Sequence, residues 1–174
     1  MTSNLEITRA SKDDIPELVI LVNSAYRGET SKKGWTTEAE LLDGIRTDED
    51  ALLKMISQAD SVILKGTINK QLAGCVFLQN QHGKLYLGML TVSPDIQAKG
   101  IGKQLLNASE AYAKEQGCTS VFMSVITVRK ELIEWYERRG YHQTAERKPF
   151  PNDPRFGIPK QQLEFLIMEK KINA

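Results

Sequence analysis

The sequence has little of what several classes of protein depend on. It contains two cysteines and two histidines in 174 residues. Cys75 and Cys118 are too few for a disulfide framework, and neither they nor His82 and His142 have the spacing of metal ligands, so no metal site is expected. Both cysteines fall in apolar runs, which favours reduced core thiols and a cytoplasmic location.

The chain also lacks an excess of one charge and any long apolar run. Its net charge is +1, which gives no overall attraction to nucleic acid or to an anionic membrane, so neither is an expected partner. No apolar stretch reaches the roughly 18–20 residues of a membrane span. The first residues show no basic region followed by an apolar one, so we expect no signal peptide. What remains is a chain with 41% hydrophobic and 26% charged residues, which fits one domain over residues 1–174.

Hydrophobic periodicity predicts an α+β fold, an α/β sandwich with a mixed sheet and helices on both faces. Helices are expected over 12–26, 36–44, 47–58, 101–116 and 129–139. Strands are expected over 5–10, 61–66, 71–79, 84–92, 119–126, 141–148 and 163–171. Ser11 and Thr47 are the expected N-caps of the first and third helices, and Thr37 with Glu40 fits a capping box at the second. Because a helix links strands 84–92 and 119–126, these two strands are expected to be parallel neighbours.

Two glycines, Gly100 and Gly102, stand where the helix after strand 84–92 begins. The first turn of a helix has unpaired N–H groups and the positive end of the helix dipole. Glycines let an anion approach this backbone, and Lys99 and Lys103 add positive charge. The pattern therefore favours a pyrophosphate site. A purely structural turn is the alternative, because the P-loop spacing and a third glycine are absent.

A longer sequence pattern around these glycines is more specific than the glycines alone. Leu90-Thr91-Val92, Pro94 and Gln97-Ala98-Lys99-Gly100-Ile101-Gly102 together resemble motif A, Q/R-x-x-G-x-G/A, of the GNAT superfamily of acyl-CoA N-acyltransferases. The block RKELIEWYERRGYH, residues 129–142, resembles the second helix of that family with its tyrosine and closing Gly-Tyr pair. The order of elements fits as well. The resemblance implies a mostly antiparallel sheet of six or seven strands whose central parallel pair is splayed.

The resemblance also implies acetyl-CoA as co-substrate. In that family the pantetheine arm lies between the splayed strands and pairs with strand backbone, and the acetyl carbonyl accepts an N–H near Leu90 that also stabilises the oxyanion. Gly88 is expected to mark the bulge that opens the gap. Arg129, where many members have asparagine, is expected either to contact the cofactor or to lie in solvent. The implied cofactor-binding residues are Leu90, Thr91, Val92, Gln97, Ala98, Lys99, Gly100, Ile101, Gly102, Lys103 and Arg129.

The implied reaction is direct attack of a primary amine on the thioester. Tyr136 matches the tyrosine of the family and would act as the general acid for the thiolate, with a packed aromatic beside Trp135 as the alternative. The strand before the glycines has no carboxylate where many members carry a glutamate. Tyr86 stands at about that position, either as a proton relay through water or as a plain strand tyrosine. Glu38 or Glu40 is another candidate base, although Glu40 fits a capping role equally well.

In that family the acceptor pocket is built from the segment around the first two helices and the loop between the last two strands, here 25–42 and 148–160. Arg27 or Arg155 would hold a substrate carboxylate. The implied acceptor is a small or amino-acid-like amine. An alternative acceptor is a protein N-terminus or lysine. An alternative function is that of a non-catalytic acyl-CoA-binding or sensing module. Many relatives form dimers, so a homodimer is possible. The expected substrate residues are Tyr26, Arg27, Trp35, Glu40, Phe150 and Phe156, and each aromatic could instead anchor its own loop.

Overall fold

The structure is a computed structural model that describes residues 5–27, 37, 39, 42–43, 45–96, 100–150, 158–160 and 163–172. The strands in these ranges are β1 (Glu6–Arg9), β2 (Leu42–Asp43), β3 (Ser61–Ile68), β4 (Gln71–Gln81), β5 (Lys84–Val92), β6 (Ser120–Ile126), β7 (His142–Pro149), β8 (Ile158–Pro159) and β9 (Glu164–Lys171). The α-helices are α1 (Ile15–Tyr26), α2 (Glu49–Ser57), α3 (Ile101–Glu115) and α4 (Lys130–Glu137). None of these four helices is long and apolar enough to cross a membrane.

Seven strands form one mixed sheet in the order β1-β3-β4-β5-β6-β9-β7. The β5–β6 pair is parallel, whereas the other neighbours are antiparallel. The strands β2 and β8 form a separate antiparallel pair. The predicted mixed sheet and its parallel pair are therefore confirmed, with β6 beginning one residue later than expected.

Helices pack on both faces of the sheet. On one face, Leu18 of α1 and Leu52 of α2 share a core with Phe77. On the other face, Leu105 of α3 and Ile133 of α4 share a second core with strand side chains. We call these the α1 face and the α4 face. Burial of each large apolar side chain stabilises the fold by about 1.5–3 kcal/mol.

A glycine in β4 sets how closely α3 lies on the sheet. A Cβ on Gly74 would lie 2.7 Å from the Thr91 carbonyl oxygen and 2.9 Å from Cδ1 of Leu105. Only a residue without a side chain permits this approach. The first turn of α3 is consequently held directly over β4 and the end of β5.

Two local predictions were wrong. The helix expected over 36–44 does not extend through Leu42 and Asp43, because these residues pair with β8. The third helix is capped by Asp48 rather than Thr47, since Oδ1 of Asp48 accepts the N–H of Ala51 at 2.8 Å. The backbone of Thr47 is used elsewhere, because its N–H and its carbonyl both bond to the side chain of Asn23.

Candidate active site

The parallel strands β5 and β6 are paired along only part of their length. Their register runs from Lys84 opposite Ser120 to Tyr86 opposite Phe122. Beyond this point β5 continues on β4 and β6 continues on β9, so the pair is splayed. The gap is the feature that the family resemblance implies. An opening of this kind accepts an extended, amide-containing ligand that pairs with strand backbone.

A bulge in β5 lies at the start of the gap. Cys75 pairs with Thr91 whereas Phe77 pairs with Gly88, so β5 has one extra residue relative to β4. Met89 has a φ of 55°, in the left-handed region that non-glycine residues rarely adopt. The hydroxyl of Thr91 donates to the Met89 carbonyl at 2.9 Å and so stabilises this turn of the chain. The bulge predicted at Gly88 is therefore centred one residue later.

The absence of a side chain at Gly88 leaves space for the Tyr86 side chain. A Cβ at this position would lie 2.9 Å from both Oη and Cε2 of Tyr86. The Tyr86 ring is held between Phe77 and Phe122, with centroid separations of 6.2 and 5.5 Å. Because two aromatic neighbours fix the ring, its hydroxyl end stays over Gly88 beside the gap.

A cavity of about 390 Å³ occupies the opening, within the usual size range of small-molecule sites. It brings together seven residues that the sequence predicted. These are Tyr26, Arg27, Tyr86, Leu90, Arg129, Tyr136 and Phe150. It also includes residues that the sequence did not single out for function, chief among them Arg46, Leu132 and the β6 segment 123–126.

The lining divides between the two faces of the sheet. Tyr26 packs in the core of the α1 face, and Tyr86 packs against it. Leu90 and Tyr136 pack in the core of the α4 face. We call these the α1 side and the α4 side of the cavity. A ligand in the gap would be contacted from both sides.

Three tyrosines meet here, and their hydroxyls differ in what they bond to. Tyr26 donates to the Leu90 carbonyl at the edge of the gap. The hydroxyls of Tyr86 and Tyr136 make no hydrogen bond to any residue that the structure describes. A buried tyrosine hydroxyl usually has a partner, so these two are suited to a ligand in the cavity.

The environment keeps both of these hydroxyls protonated. Burial raises the pKa of Tyr136 well above its usual value, and the neighbouring Tyr26 and Tyr86 raise it further, whereas Arg129 lowers it. Burial also raises the pKa of Tyr86, against a smaller opposing effect of Arg46. Each tyrosine is thus a proton donor at neutral pH rather than a base.

Three arginines and no carboxylate line the described part of the cavity. Arg27 is 6% exposed and donates from Nη1 to the Ile45 carbonyl at 3.1 Å. The guanidinium of Arg46 lies over the Tyr26 ring, 5.4 Å from its centroid. Arg129 is the N-cap residue of α4. The sequence analysis missed Arg46 because nothing in its local pattern distinguishes it from an ordinary loop arginine.

The glycine turn is described in part. Gly100 has a φ of 65° and is the N-cap of α3, and a Cβ there would meet no atom of the described residues within 4 Å. None of the described residues therefore fills the space beside this helix start, as a phosphate site requires. Ile101 and Gly102 are buried, whereas Lys103 is exposed. The expected site residues Trp35, Glu40, Gln97, Ala98, Lys99 and Phe156, together with Glu38 and Arg155, lie outside the described residues.

At the end of β5, over residues 90–92, the side chains are already engaged within the fold, which leaves the backbone for a ligand. The side chains of Leu90 and Val92 are buried in the core of the α4 face. The hydroxyl of Thr91 is used within the bulge. Within the described ranges, no group of three or more His, Cys, Asp or Glu residues could hold a metal ion.

Comparison with known proteins agrees with this architecture. The chain superposes on ribosomal-protein-S18-alanine N-acetyltransferase from Escherichia coli with a TM-score of 0.74 at 16% identity, covering 98% of this chain and 96% of that one. It also matches paia N-acetyltransferase from Thermoplasma acidophilum in complex with coenzyme A, with a TM-score of 0.67 at 22% identity and coverage of 97% and 99%.

A third similar structure is yncA from Salmonella typhimurium with its cofactor acetyl-CoA. Its TM-score is 0.71 at 19% identity, with coverage of 99% and 96%. No curated protein matches at a significant level. The family model for the acetyltransferase (GNAT) family matches residues 29–141. The chain therefore belongs to the acetyltransferase (GNAT) family.

Proposed function

We propose that this protein is an acetyl-CoA-dependent N-acetyltransferase, with one domain that transfers an acetyl group directly to a primary amine. The observation that carries the proposal is the cavity in the splay between β5 and β6, with the Tyr136 hydroxyl beside it. Family membership and two similar structures with bound coenzyme A or acetyl-CoA support the choice of acyl donor.

The described residues fit that donor. The open space at Gly100 suits a pyrophosphate at the first turn of α3. The partly paired edge of β5 suits the amides of a pantetheine arm. Acetyl-CoA, when bound, supplies an activated acetyl group. The acceptor nitrogen forms a bond to its carbonyl carbon, the carbon–sulfur bond breaks, and coenzyme A leaves as the free thiol.

Tyr136 is the proposed general acid. Its hydroxyl has no partner among the described residues, and its raised pKa keeps the proton in place until a thiolate forms. Arg129 starts the same helix and favours the negative charge that develops on this side. General acid catalysis of this kind contributes about 10²–10⁴-fold to a rate.

The described lining supplies no carboxylate base. Positive groups disfavour the ammonium form of a bound amine, so the arginines on the α1 side raise the fraction of neutral nucleophile. The proton is then lost to solvent, with the Tyr86 hydroxyl as a relay through water. Positioning of the two substrates provides much of the remaining acceleration.

Turnover and binding test this proposal together. Purified protein is titrated with acetyl-CoA by calorimetry, and an amine panel is followed by release of free thiol. Gly100→Trp fills the space beside α3 and should abolish both signals. Gly83→Trp is the matched control, since Gly83 also has a positive φ, 88°, with nothing within 4 Å of a Cβ. It should bind and turn over like the wild type.

The rival function, a non-catalytic acyl-CoA sensor, gives a different result. A sensor would bind acetyl-CoA, lose that binding in Gly100→Trp, and release no thiol with any amine. A protein with neither binding nor turnover would contradict both functions.

A further inference from the structure

We propose that the acceptor carries an anionic group of its own, a carboxylate or a phosphate, and that Arg46 binds it. This inference rests on the proposed acetyl transfer and narrows the class of its acceptor. Arg46 would then be a specificity-determining residue that touches substrate, at a position that the sequence motifs do not include.

The first support is the charge of the cavity. Its described lining contains three guanidinium groups and no Asp or Glu. A simple alkyl amine is cationic at neutral pH, with a pKa near that of lysine, about 10.4, and would be repelled from this surface. An amine with its own carboxylate or phosphate would be attracted to it, because like charges in a concave site act together on an entering ligand.

The second support is the state of the Arg46 side chain. It is half-buried, and its guanidinium forms no ion pair or hydrogen bond with any described residue. Its contact is with the face of the Tyr26 ring. Stacking of this kind leaves the N–H donors at the guanidinium edge for another group. An anionic oxygen pair is what such an edge binds best.

The third support is preorganisation. The Asn23 side chain of α1 accepts the N–H groups of both Arg46 and Thr47, at 2.7 and 3.0 Å. Arg27, at the end of α1, donates to the carbonyl of Ile45, the residue before Arg46. The segment 45–47 is therefore fixed to α1, and the two guanidinium groups are on the same side of the cavity. A fixed pair of cations binds an anion with little loss of side-chain entropy.

The Tyr26 side chain also sets the distance between the proposed anion site and the edge of β5. Tyr26 contacts the Arg46 guanidinium through its ring and the Leu90 carbonyl through its hydroxyl. One tyrosine side chain thus separates the anion site from the edge of β5. The nucleophilic nitrogen of the acceptor would lie near that edge, and its anionic group would lie beside the Tyr26 ring.

Matched acceptors provide the test. A panel of L-amino acids is compared with the corresponding carboxamides and 1-aminoalkylphosphonates, with thiol release as the readout. The wild type should prefer the acid or the phosphonate over the carboxamide by at least roughly tenfold in kcat/KM. The better of the two anions identifies whether a carboxylate or a phosphate is the natural group. Neutral peptide N-termini are included and should behave like the carboxamides.

Two variants test whether Arg46 is responsible for the preference for an anionic acceptor. Arg46→Met keeps an unbranched apolar stem without the charge. It should lower kcat/KM for the anionic acceptor about 100-fold, chiefly through KM, and should lower the ratio of kcat/KM for the acid to that for the carboxamide at least roughly tenfold. Arg46→Lys keeps the charge and should recover part of the loss. Affinity for acetyl-CoA should not change in either variant. If Arg46→Met does not fold, the wild-type preference and Arg46→Lys still decide the question.

Several results would overturn the inference. Equal use of carboxamides and acids, or a preference for neutral peptides, would contradict it while N-acetyl transfer itself stands. An unchanged preference in Arg46→Met would assign the anion to another group. No turnover of any acid or phosphonate would also refute it, and if acetyl-CoA binding were absent as well, the proposed function would fail with it.

Discussion

The two sides of the cavity differ in what surrounds their polar groups. On the α4 side, the Tyr136 hydroxyl has apolar neighbours that include Leu132 and Val125, with Arg129 at the start of its helix as the charged group. On the α1 side, Tyr26 and Arg27 already bond to backbone carbonyls, and Arg46 stacks on Tyr26. The first arrangement suits proton donation in a dry environment. The second suits binding and orientation of a charged acceptor.

The largest effect is expected on the α4 side. Tyr136→Phe removes the proposed acid while keeping the ring contacts with Trp135 and Tyr141. We predict a fall in kcat of about 10²–10⁴-fold, with acetyl-CoA affinity within about threefold of wild type. Steady-state thiol release and calorimetry measure the two quantities. An unchanged kcat would show that another group protonates the leaving thiolate. The proposed difference between the α4 side and the α1 side of the cavity would then not hold.

The next effect concerns the packing of Tyr86 on the α1 side. Gly88→Ala introduces a Cβ at 2.9 Å from the Tyr86 ring and hydroxyl. We predict a loss of about 1–3 kcal/mol in the free energy of unfolding, measured by urea denaturation. Tyr86→Leu should relieve the clash, so the loss from Gly88→Ala should be smaller in that background. Additive losses would show that the two residues do not compete for space.

A smaller effect is expected from Tyr26→Phe. The substitution leaves the buried Leu90 carbonyl without its hydroxyl donor, which costs about 1–2 kcal/mol in unfolding free energy. A pantetheine amide in the gap would supply a replacement donor, so saturating acetyl-CoA should reduce this difference. Thermal unfolding with and without ligand measures both values. A loss that acetyl-CoA leaves unchanged would show that the carbonyl does not face the bound cofactor.

The pH profile should show no effect of Tyr136 ionisation in the accessible range. Burial raises the pKa of Tyr136 above its usual value, so the donor stays protonated at and beyond pH of about 10, where an ordinary tyrosine ionises. The kcat profile should rise with pH and then remain level to about 10. A descending limb near pH 8 or 9 that disappears in Tyr136→Phe would contradict this environment.

The smallest effect lies outside the cavity and serves as a control. Partial burial raises the pKa of Asp14, but hydrogen bonds from Lys65 and Ser11 and the Lys65 charge together lower that pKa below its usual value. A depressed folded-state pKa gives stability that is present above the unfolded pKa and is lost as pH falls. Asp14→Asn should cost about 1 kcal/mol at pH 7, less at acidic pH, and should not affect kcat.

Local sequence patterns predicted much of this arrangement. The periodicity of residues 101–116 predicted α3, which begins directly after Gly100, whereas the pyrophosphate site expected there stays a prediction. The block around Tyr136 predicted a helix whose tyrosine lines the cavity. These features depend on residues that are near one another in the chain, which is why the sequence alone is sufficient for them.

Long-range contacts account for what the sequence did not predict. The β2–β8 pairing joins segments more than a hundred residues apart, so the helical propensity around Leu42 was misleading. The bulge at Met89 depends on the register with β4. Arg46 faces the cavity because Asn23 fixes its loop, and neither residue carries a functional pattern of its own.

A crystal structure with coenzyme A tests the central claim most directly. We predict that the pantetheine arm runs along β5 in the gap, with its thiol within about 3.5 Å of the Tyr136 hydroxyl and its pyrophosphate at the first turn of α3. Coenzyme A bound elsewhere, for example in the groove lined by Lys103, Glu110 and Lys170, or a thiol far from Tyr136, would contradict the account.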